Sequence, residues 1–358
     1  MKKQRKILFF GISPMNYFIF KPIHQFLKKD KRIEIFFTSK YEGSKNPKKL
    51  FYSKLGMYEE KLVHLRLAPL KKFDLYISPD IMMVGKRCKV KVHTFHGVSF
   101  KGKAYSEKVY SFDKLFITGE YMRRKFINDG ILRENDERIE KIGMPKLDAL
   151  VNNTLKREEI LSSLSLNPNL PVVIYAPTWS QKSSLYSVGE ELLKKLSREN
   201  INLLAKLHDH SYDLRRNPVD WAKKLSEIEQ ERRNFRVVRD YDIIPYLFSS
   251  DLLISDLSSV ANEFLLLDRP IVFIDTPKLE ERYKNSIELK TWGRKSGYIA
   301  KGVDEIIDAV KRGLTHPEEH SEIRRKMAED LFYNIGCATK KAVESIYRYL
   351  EMEEMKFQ

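Results

Sequence analysis

The chain reads as an α/β protein of two doubly wound, Rossmann-like domains facing a cleft and finished by C-terminal helices. Three observations point there. Short bounded apolar runs alternate with longer amphipathic ones, the pattern of parallel strands covered by helices. That alternation breaks once, at Asn167-Pro168-Asn169-Leu170-Pro171, and then starts again. The length of 358 residues suits two cores of ordinary size.

Taken in order, the first half predicts strands over 7–10, 33–37, 75–77, 92–95 and 115–118, with helical segments over 18–27, 105–110 and 121–128. These make a basic domain over 1–150. A polar helical piece over 156–165 and the proline-rich break fall in a linker over 151–170. The second domain, 171–358, predicts strands over 172–176, 202–207, 235–238, 252–254 and 271–274. A helix over 192–199 and terminal helices within 322–354 complete it. Ligands of such sheets bind at the carboxyl ends of the strands.

Composition narrows the function classes. Hydrophobic content of 42% is ordinary, and no apolar run reaches 18 residues, so no membrane-spanning helix is expected. The opening Met-Lys-Lys-Gln-Arg-Lys leads into a short apolar run broken by Gly11, too short for a secretory core and right for a first strand. Cys88 and Cys337 stand far apart and form no metal-ligand spacing, which predicts a reduced cytoplasmic protein. There is no glycine-rich dinucleotide fingerprint, Walker sequence or Gly-x-Ser-x-Gly elbow.

The net charge of +16 is one-sided. Residues 1–150 hold 33 Lys and Arg against 16 Asp and Glu, and the remaining residues are close to neutral. A field of that kind predicts an anionic partner, either a polyanion or an anionic membrane surface. No aromatic-basic motif or recognition helix points to nucleic acid. Around Lys45, Lys48 and Lys49, the run through Leu50, Phe51, Tyr52, Leu55, Met57 and Tyr58 reads equally as a short interfacial helix or as an ordinary core-facing one.

Four predicted strand ends carry polar residues suited to phosphate chemistry. His96 follows the fourth strand and can act as a base near neutral pH, with Gly97 allowing close approach and Lys101 and Lys103 nearby. Thr178, in Pro177-Thr178-Trp179, can bind a phosphate oxygen. In Lys206-Leu207-His208-Asp209-His210, strand alternation would turn Lys206 and His208 to one side. Ser258 and Ser259 open a helix after Asp256, where free N–H groups and two hydroxyls would face one anion. Glu263, further along that helix, would be within reach of a ribose. Plain helix capping is the bland alternative for the serines. A metal at His208-Asp209-His210 lacks a third clear ligand, and Asp240-Tyr241-Asp242 is a pattern common by chance.

The ordered set His96-Gly97-Val98-Ser99, Gly143-Met144-Pro145-Lys146-Leu147-Asp148, Pro177-Thr178-Trp179-Ser180, Lys206-Leu207-His208-Asp209, Asp256-Leu257-Ser258-Ser259 and Asp268-Arg269-Pro270 resembles the CDP-glycerol glycerophosphotransferase family, the teichoic acid primases and polymerases. The resemblance covers about residues 90–275. Val98-Ser99, Ser180, Asp209 and Leu257 depart from the family's Thr-Pro, Arg, Pro and Tyr.

The resemblance implies the glycosyltransferase-B arrangement, a CDP-activated polyol phosphate donor, no metal or other cofactor, and catalytic roles for His96 and His208. On this reading Thr178, Lys206, Ser258 and Ser259 hold the donor phosphates. Glu263 and the backbone near Ile243 and Ile244 hold the nucleoside. Gly97, Ser99, Lys101 and Lys103 face the acceptor. The acceptor would be anionic or lipid-linked, and the enzyme peripheral on the inner face of the membrane. A glycosyltransferase using a nucleotide sugar and a non-enzymatic, basic polyanion-binding protein are the alternatives.

Overall fold

The computed structural model describes residues 4–98, 105–281 and 294–355. The described residues divide into two compact units, one of 4–98, 105–148 and 330–355, the other of 149–281 and 294–329.

The first unit is built on seven strands, β1 Arg5–Gly11, β2 Ile33–Ser39, β3 Lys61–Leu62, β4 Phe73–Ser78, β5 Cys88–His93, β6 Lys114–Ile117 and β7 Ile139–Lys141. They pair in the order β3-β2-β1-β4-β5-β6-β7, and every pairing is parallel. β3 and β7 are edge strands of two and three residues bearing Lys61, Glu140 and Lys141. Short charged edges give no hydrophobic run to read, so both escaped the sequence. The first helix starts at Pro14 rather than at 18. Pro14 occupies the first turn, where no N–H is needed, and the Asn16 side chain accepts the Ile12 and Ser13 N–H groups at 2.8 and 3.1 Å. The segment expected as a helix over 105–110 is a 3₁₀ turn, Glu107–Ser111.

The second unit repeats the plan with β8 Val172–Tyr175, β9 Asn202–Ala205, β10 Phe235–Val237, β11 Leu252–Ser255, β12 Ile271–Ile274 and β13 Tyr298–Ala300. Its order, β10-β9-β8-β11-β12-β13, is again all parallel and reverses direction between β8 and β11. That reversal is where doubly wound sheets bind ligands. β8, β9, β11 and β12 are buried along their whole length, which is why each reads as a mainly apolar run.

The helical piece expected over 156–165 is the helix Arg157–Ser163, and one expected boundary moves. Arg157 donates to both oxygens of Asp251, at 3.0 and 2.7 Å, and Asp251 also accepts the Val172 N–H. The last helix, Ala338–Tyr349, belongs to the first unit, not the second. It buries Ala342, Val343, Ile346 and Tyr347 in the core that includes Phe9, Phe20 and Phe37. Burial of Val343, Ile346 and Tyr347 contributes about 1.5–3 kcal/mol each. The Tyr347 hydroxyl reaches Asp30 at 2.8 Å, and Asp148 accepts the Ala338 and Thr339 N–H groups at 3.0 and 2.7 Å, capping the helix. Gly143 makes the approach possible: its φ is +91°, and a Cβ there would lie 2.1 Å from the Tyr333 carbonyl oxygen. The Gly143–Asp148 motif is therefore an attachment point for the returning chain.

The lysine-rich run after Lys45 resolves to its core-facing form. The helix Lys48–Phe51 is only four residues long, and Leu50 and Phe51 are fully buried. Tyr52, Leu55 and Met57 pack against the same core, and Lys49 pairs with Glu42 at 2.7 Å. An interfacial helix there would need those apolar groups outside. Among the described residues no helix is long and apolar enough to cross a membrane.

Candidate functional site

In the second unit, three neighbouring strands, β9, β8 and β11, end in the polar loops singled out from the sequence. Asp256 holds two of these loops together. Its buried carboxylate accepts the Thr178 and Leu257 N–H groups on Oδ1 at 2.8 and 2.7 Å. On Oδ2 it accepts the N–H and the hydroxyl of Ser184 at 3.0 and 2.8 Å. The end of β11 thereby fixes the loop after β8. Sequence reading passed over this role, because an aspartate before a helix looks like a cap and its partners Thr178 and Ser184 lie more than 70 residues away.

Thr178 sits in that braced loop, and its buried hydroxyl has no hydrogen-bond partner among the described residues. A buried hydroxyl left so costs free energy unless something else bonds it. Ser258 and Ser259 are half-buried at the start of the helix Val260–Phe264. Ser259 makes no side-chain cap, and the Ser258 hydroxyl meets the Val260 N–H only at 3.4 Å. The capping alternative is thus weak. The helix is five residues long and runs on as a 3₁₀ turn, Leu265–Leu267, so hydroxyls and N–H groups, rather than a long dipole, would carry any anion contact. Glu263 lies on this helix with 3% of its surface exposed.

β9 stops at Ala205, so strand alternation does not place Lys206 and His208. Lys206 is nearly buried and donates to the Leu207 carbonyl at 3.2 Å. Burial pulls its pKa down, and Asp209 and Asp240 push it back up. The His208 ring accepts the His210 N–H on Nδ1 at 3.1 Å. A neutral His208 therefore carries its proton on Nε2, which makes that nitrogen a hydrogen-bond donor. Trp179 and His210 complete an aromatic cluster, with ring centroids 5.3 Å apart and His208 4.8 Å from His210. Neither Trp179 nor His210 was picked out as a site residue, since each needs the fold to meet the other.

Other candidates make contacts within their own turns or with neighbouring elements. The Ile244 N–H is taken by Asp242 at 3.1 Å, and the Ile243 carbonyl accepts the Tyr246 and Leu247 N–H groups. Backbone expected to frame a base is thus engaged within its own turn. Asp240 accepts the Tyr246 hydroxyl, so both members of the Asp240/Asp242 pair already serve local contacts. Arg269 donates to the Phe248 and Ser250 carbonyls at 2.6 Å each. Asp268 holds the buried Arg324 at 2.9 Å.

In the first unit β5 ends at His93, two residues sooner than expected. Phe95 has φ +53°, a left-handed conformation that a strand cannot contain and that strains a bulky residue by about 1 kcal/mol or more. This kink keeps the Phe95 ring inside, 4.2 Å from His93 and 5.6 Å from Phe126, and leaves His96 exposed. His93 is the structural member of the pair: its Nδ1 faces the Ser78 carbonyl at 3.0 Å, and burial pushes its pKa down to about 3. Gly97 is buried beside His96, while Ser99, Lys101 and Lys103 lie outside the described residues.

Known proteins resemble the chain in sequence and in fold. A family model described as CDP-Glycerol:Poly(glycerophosphate) glycerophosphotransferase matches residues 74–351. A teichoic acid glycerol-phosphate primase of Bacillus spizizenii is 31% identical over 171 residues, covering 46% of this chain and 41% of that protein. A teichoic acid poly(glycerol phosphate) polymerase of Staphylococcus epidermidis is 36% identical over 146 residues, covering 39% and 19%. The chain thus spans less than half the length of these relatives. Among solved structures, the wall teichoic acid polymerase TagF aligns with a TM-score of 0.71 at 18% identity, covering 97% of this chain and 89% of that one. An S. aureus MnaA–UDP co-structure aligns at 0.62 with 14% identity, covering 99% of each. At these identities the likeness is one of fold.

Proposed function

The chain belongs to the CDP-glycerol:poly(glycerophosphate) glycerophosphotransferase family, and we propose that it transfers a polyol phosphate, with glycerol phosphate the first candidate, from a CDP-linked donor to a hydroxyl of a cell-surface polymer or lipid-linked acceptor. The acceptor oxygen bonds to the donor β-phosphorus, the bond from that phosphorus to the bridging oxygen breaks, and CMP leaves with the electron pair. His96, exposed behind its kinked strand end, takes the hydroxyl proton. His208 offers Nε2–H to a pyrophosphate oxygen, joined by Lys206, the Thr178 hydroxyl and the Ser258/Ser259 helix start. Glu263 serves the ribose. Catalysis of this type is mostly positioning and charge stabilisation. A lipid-linked acceptor would hold the enzyme at the inner face of the membrane.

The observation that carries this reading is the convergence of three polar loops on adjacent strand ends, at the point where the strand order reverses. Product release from CDP-glycerol, CDP-ribitol and a UDP-sugar tests it. CMP from a CDP-polyol is expected, and UDP alone would establish a glycosyltransferase instead. His96→Ala and His208→Ala should each lower turnover about 10²–10⁴-fold without lowering Tm. Near wild-type turnover of either would make that histidine structural. Ser258→Ala with Ser259→Ala should raise the donor KM more than Asp240→Asn with Asp242→Asn. Loss of activity to a chelator, restored by a divalent ion, would overturn the metal-free reading.

A further inference from the structure

A cavity of about 1210 Å³ opens on the first unit at the amino ends of its strands, the edge opposite His96. Arg5 begins β1, Lys71 and Lys72 precede β4, and Arg87 and Lys89 bracket the start of β5. At about 3.3 Å per strand residue, Lys89 and His96 are separated by on the order of 20 Å. The walls carry seven cationic side chains against three carboxylates, Asp74, Glu351 and Glu353, so the cavity keeps a positive excess.

Two of those carboxylates are already engaged by part of the set. Asp74 lies 3.3 Å from both Arg5 and Lys89, and Glu351 lies 3.5 Å from Arg5. Lys71, Lys72 and Arg87 pair with no carboxylate among the described residues. Arg87 instead donates to the Leu70 carbonyl at 3.0 Å, which ties its loop to the turn bearing Lys71 and Lys72. Three uncompensated cations are therefore clustered on two joined loops. Phe36 and Phe73 line the same cavity in edge-to-face contact, 5.6 Å between centroids.

We propose that this groove binds a phosphodiester polyanion, the body of the acceptor chain, away from the end that reacts. The identity of that polymer rests on the function proposed above; the anion site does not. Each phosphodiester carries one negative charge at neutral pH, and successive units can meet cations spread along a concave wall. A bilayer is flat on this scale and meets projecting groups rather than recessed ones. Leu67 and Leu70, exposed on the adjoining turn, are the feature beside the groove that suits a bilayer.

Fluorescence anisotropy with labelled inorganic polyphosphate tests the groove on the whole chain. Wild type should bind with strong salt dependence. Lys71→Glu with Lys72→Glu and Arg87→Glu should bind at least tenfold more weakly. Its log–log salt slope should be shallower by about 2, from about 0.7 per neutralised phosphate on a flexible single chain. Lys45→Glu with Lys48→Glu and Lys49→Glu should bind like wild type. CMP release with a short soluble acceptor should be unchanged in both, which also reports folding. Should the triple variant fold poorly, Lys71→Ala with Lys72→Ala, both exposed, keeps the test open through the same readout. Equal polyphosphate binding by wild type and variant overturns the proposal. So does binding to anionic phosphatidylglycerol vesicles that these substitutions abolish when polyphosphate does not bind. Absence of CMP release from CDP-glycerol would sink the function proposal alone and leave the polyphosphate result standing.

Discussion

Replacing Asp256 by Asn removes one charge and exchanges one acceptor oxygen for an NH₂, and the geometry leaves that NH₂ no good orientation. If it faces Ser184, the Ser184 hydroxyl can rotate to accept, but the Ser184 N–H, now at 3.0 Å from Oδ2, meets a donor. If the amide flips, the NH₂ meets the Thr178 and Leu257 N–H groups instead. Either way at least one buried backbone donor is stranded, at about 1–3 kcal/mol. The remaining bonds also lose their charge-assisted part, about 1 kcal/mol more. A loss of about 3 kcal/mol is expected, read as a lower urea midpoint at unchanged m-value. Because Asp256 also anchors the Thr178 loop, the donor KM should rise under conditions where the variant is still folded. A variant within about 0.5 kcal/mol of wild type, with unaltered donor KM, would refute the bracing role.

Gly143→Ala should cost at least about 2–3 kcal/mol, since φ is +91° and the new Cβ would meet the Tyr333 carbonyl at 2.1 Å. Gly130→Ala, at φ +70° with open space around it, should cost only about 1 kcal/mol, and equal midpoints for the two would contradict the close-approach argument. His93 supplies an acid limit. Its folded pKa is near 3 against an ordinary 6.5, so the unfolded chain binds the proton more readily between those values. Its contribution is complete above about pH 6.5 and is lost as the pH falls towards 3, by about 1.4 kcal/mol per unit at most. His93→Gln should flatten the stability profile between pH 6 and 4, and a profile parallel to wild type would remove His93 as the cause.

Much of the fold is written locally. β8, β11 and β12 are apolar because both sheet faces are covered, so their runs could be read without any partner. The polar loops were readable for the same reason: Thr178, Lys206, His208, Ser258 and Ser259 each follow directly on such a run. Their immediate geometry was not. Thr178 depends on Asp256 from another strand, and the proton position on His208 depends on the His210 backbone.

Sequence alone thus determined two Rossmann-like halves and the order of the polar strand-end motifs, because both arise from residues adjacent along the chain. Tertiary structure decided what distant residues do to one another. It sent the Ala338–Tyr349 helix back to the first unit through Gly143, Asp148 and Asp30. It turned the Lys48–Phe51 segment inward and gathered Lys71, Lys72 and Arg87 around one groove. An amphipathic helix exposes the same pattern whichever core it covers, and a lysine has the same sequence context whether a carboxylate lies within 4 Å or not. Only the closing of long loops, which places distant residues side by side, distinguishes those cases.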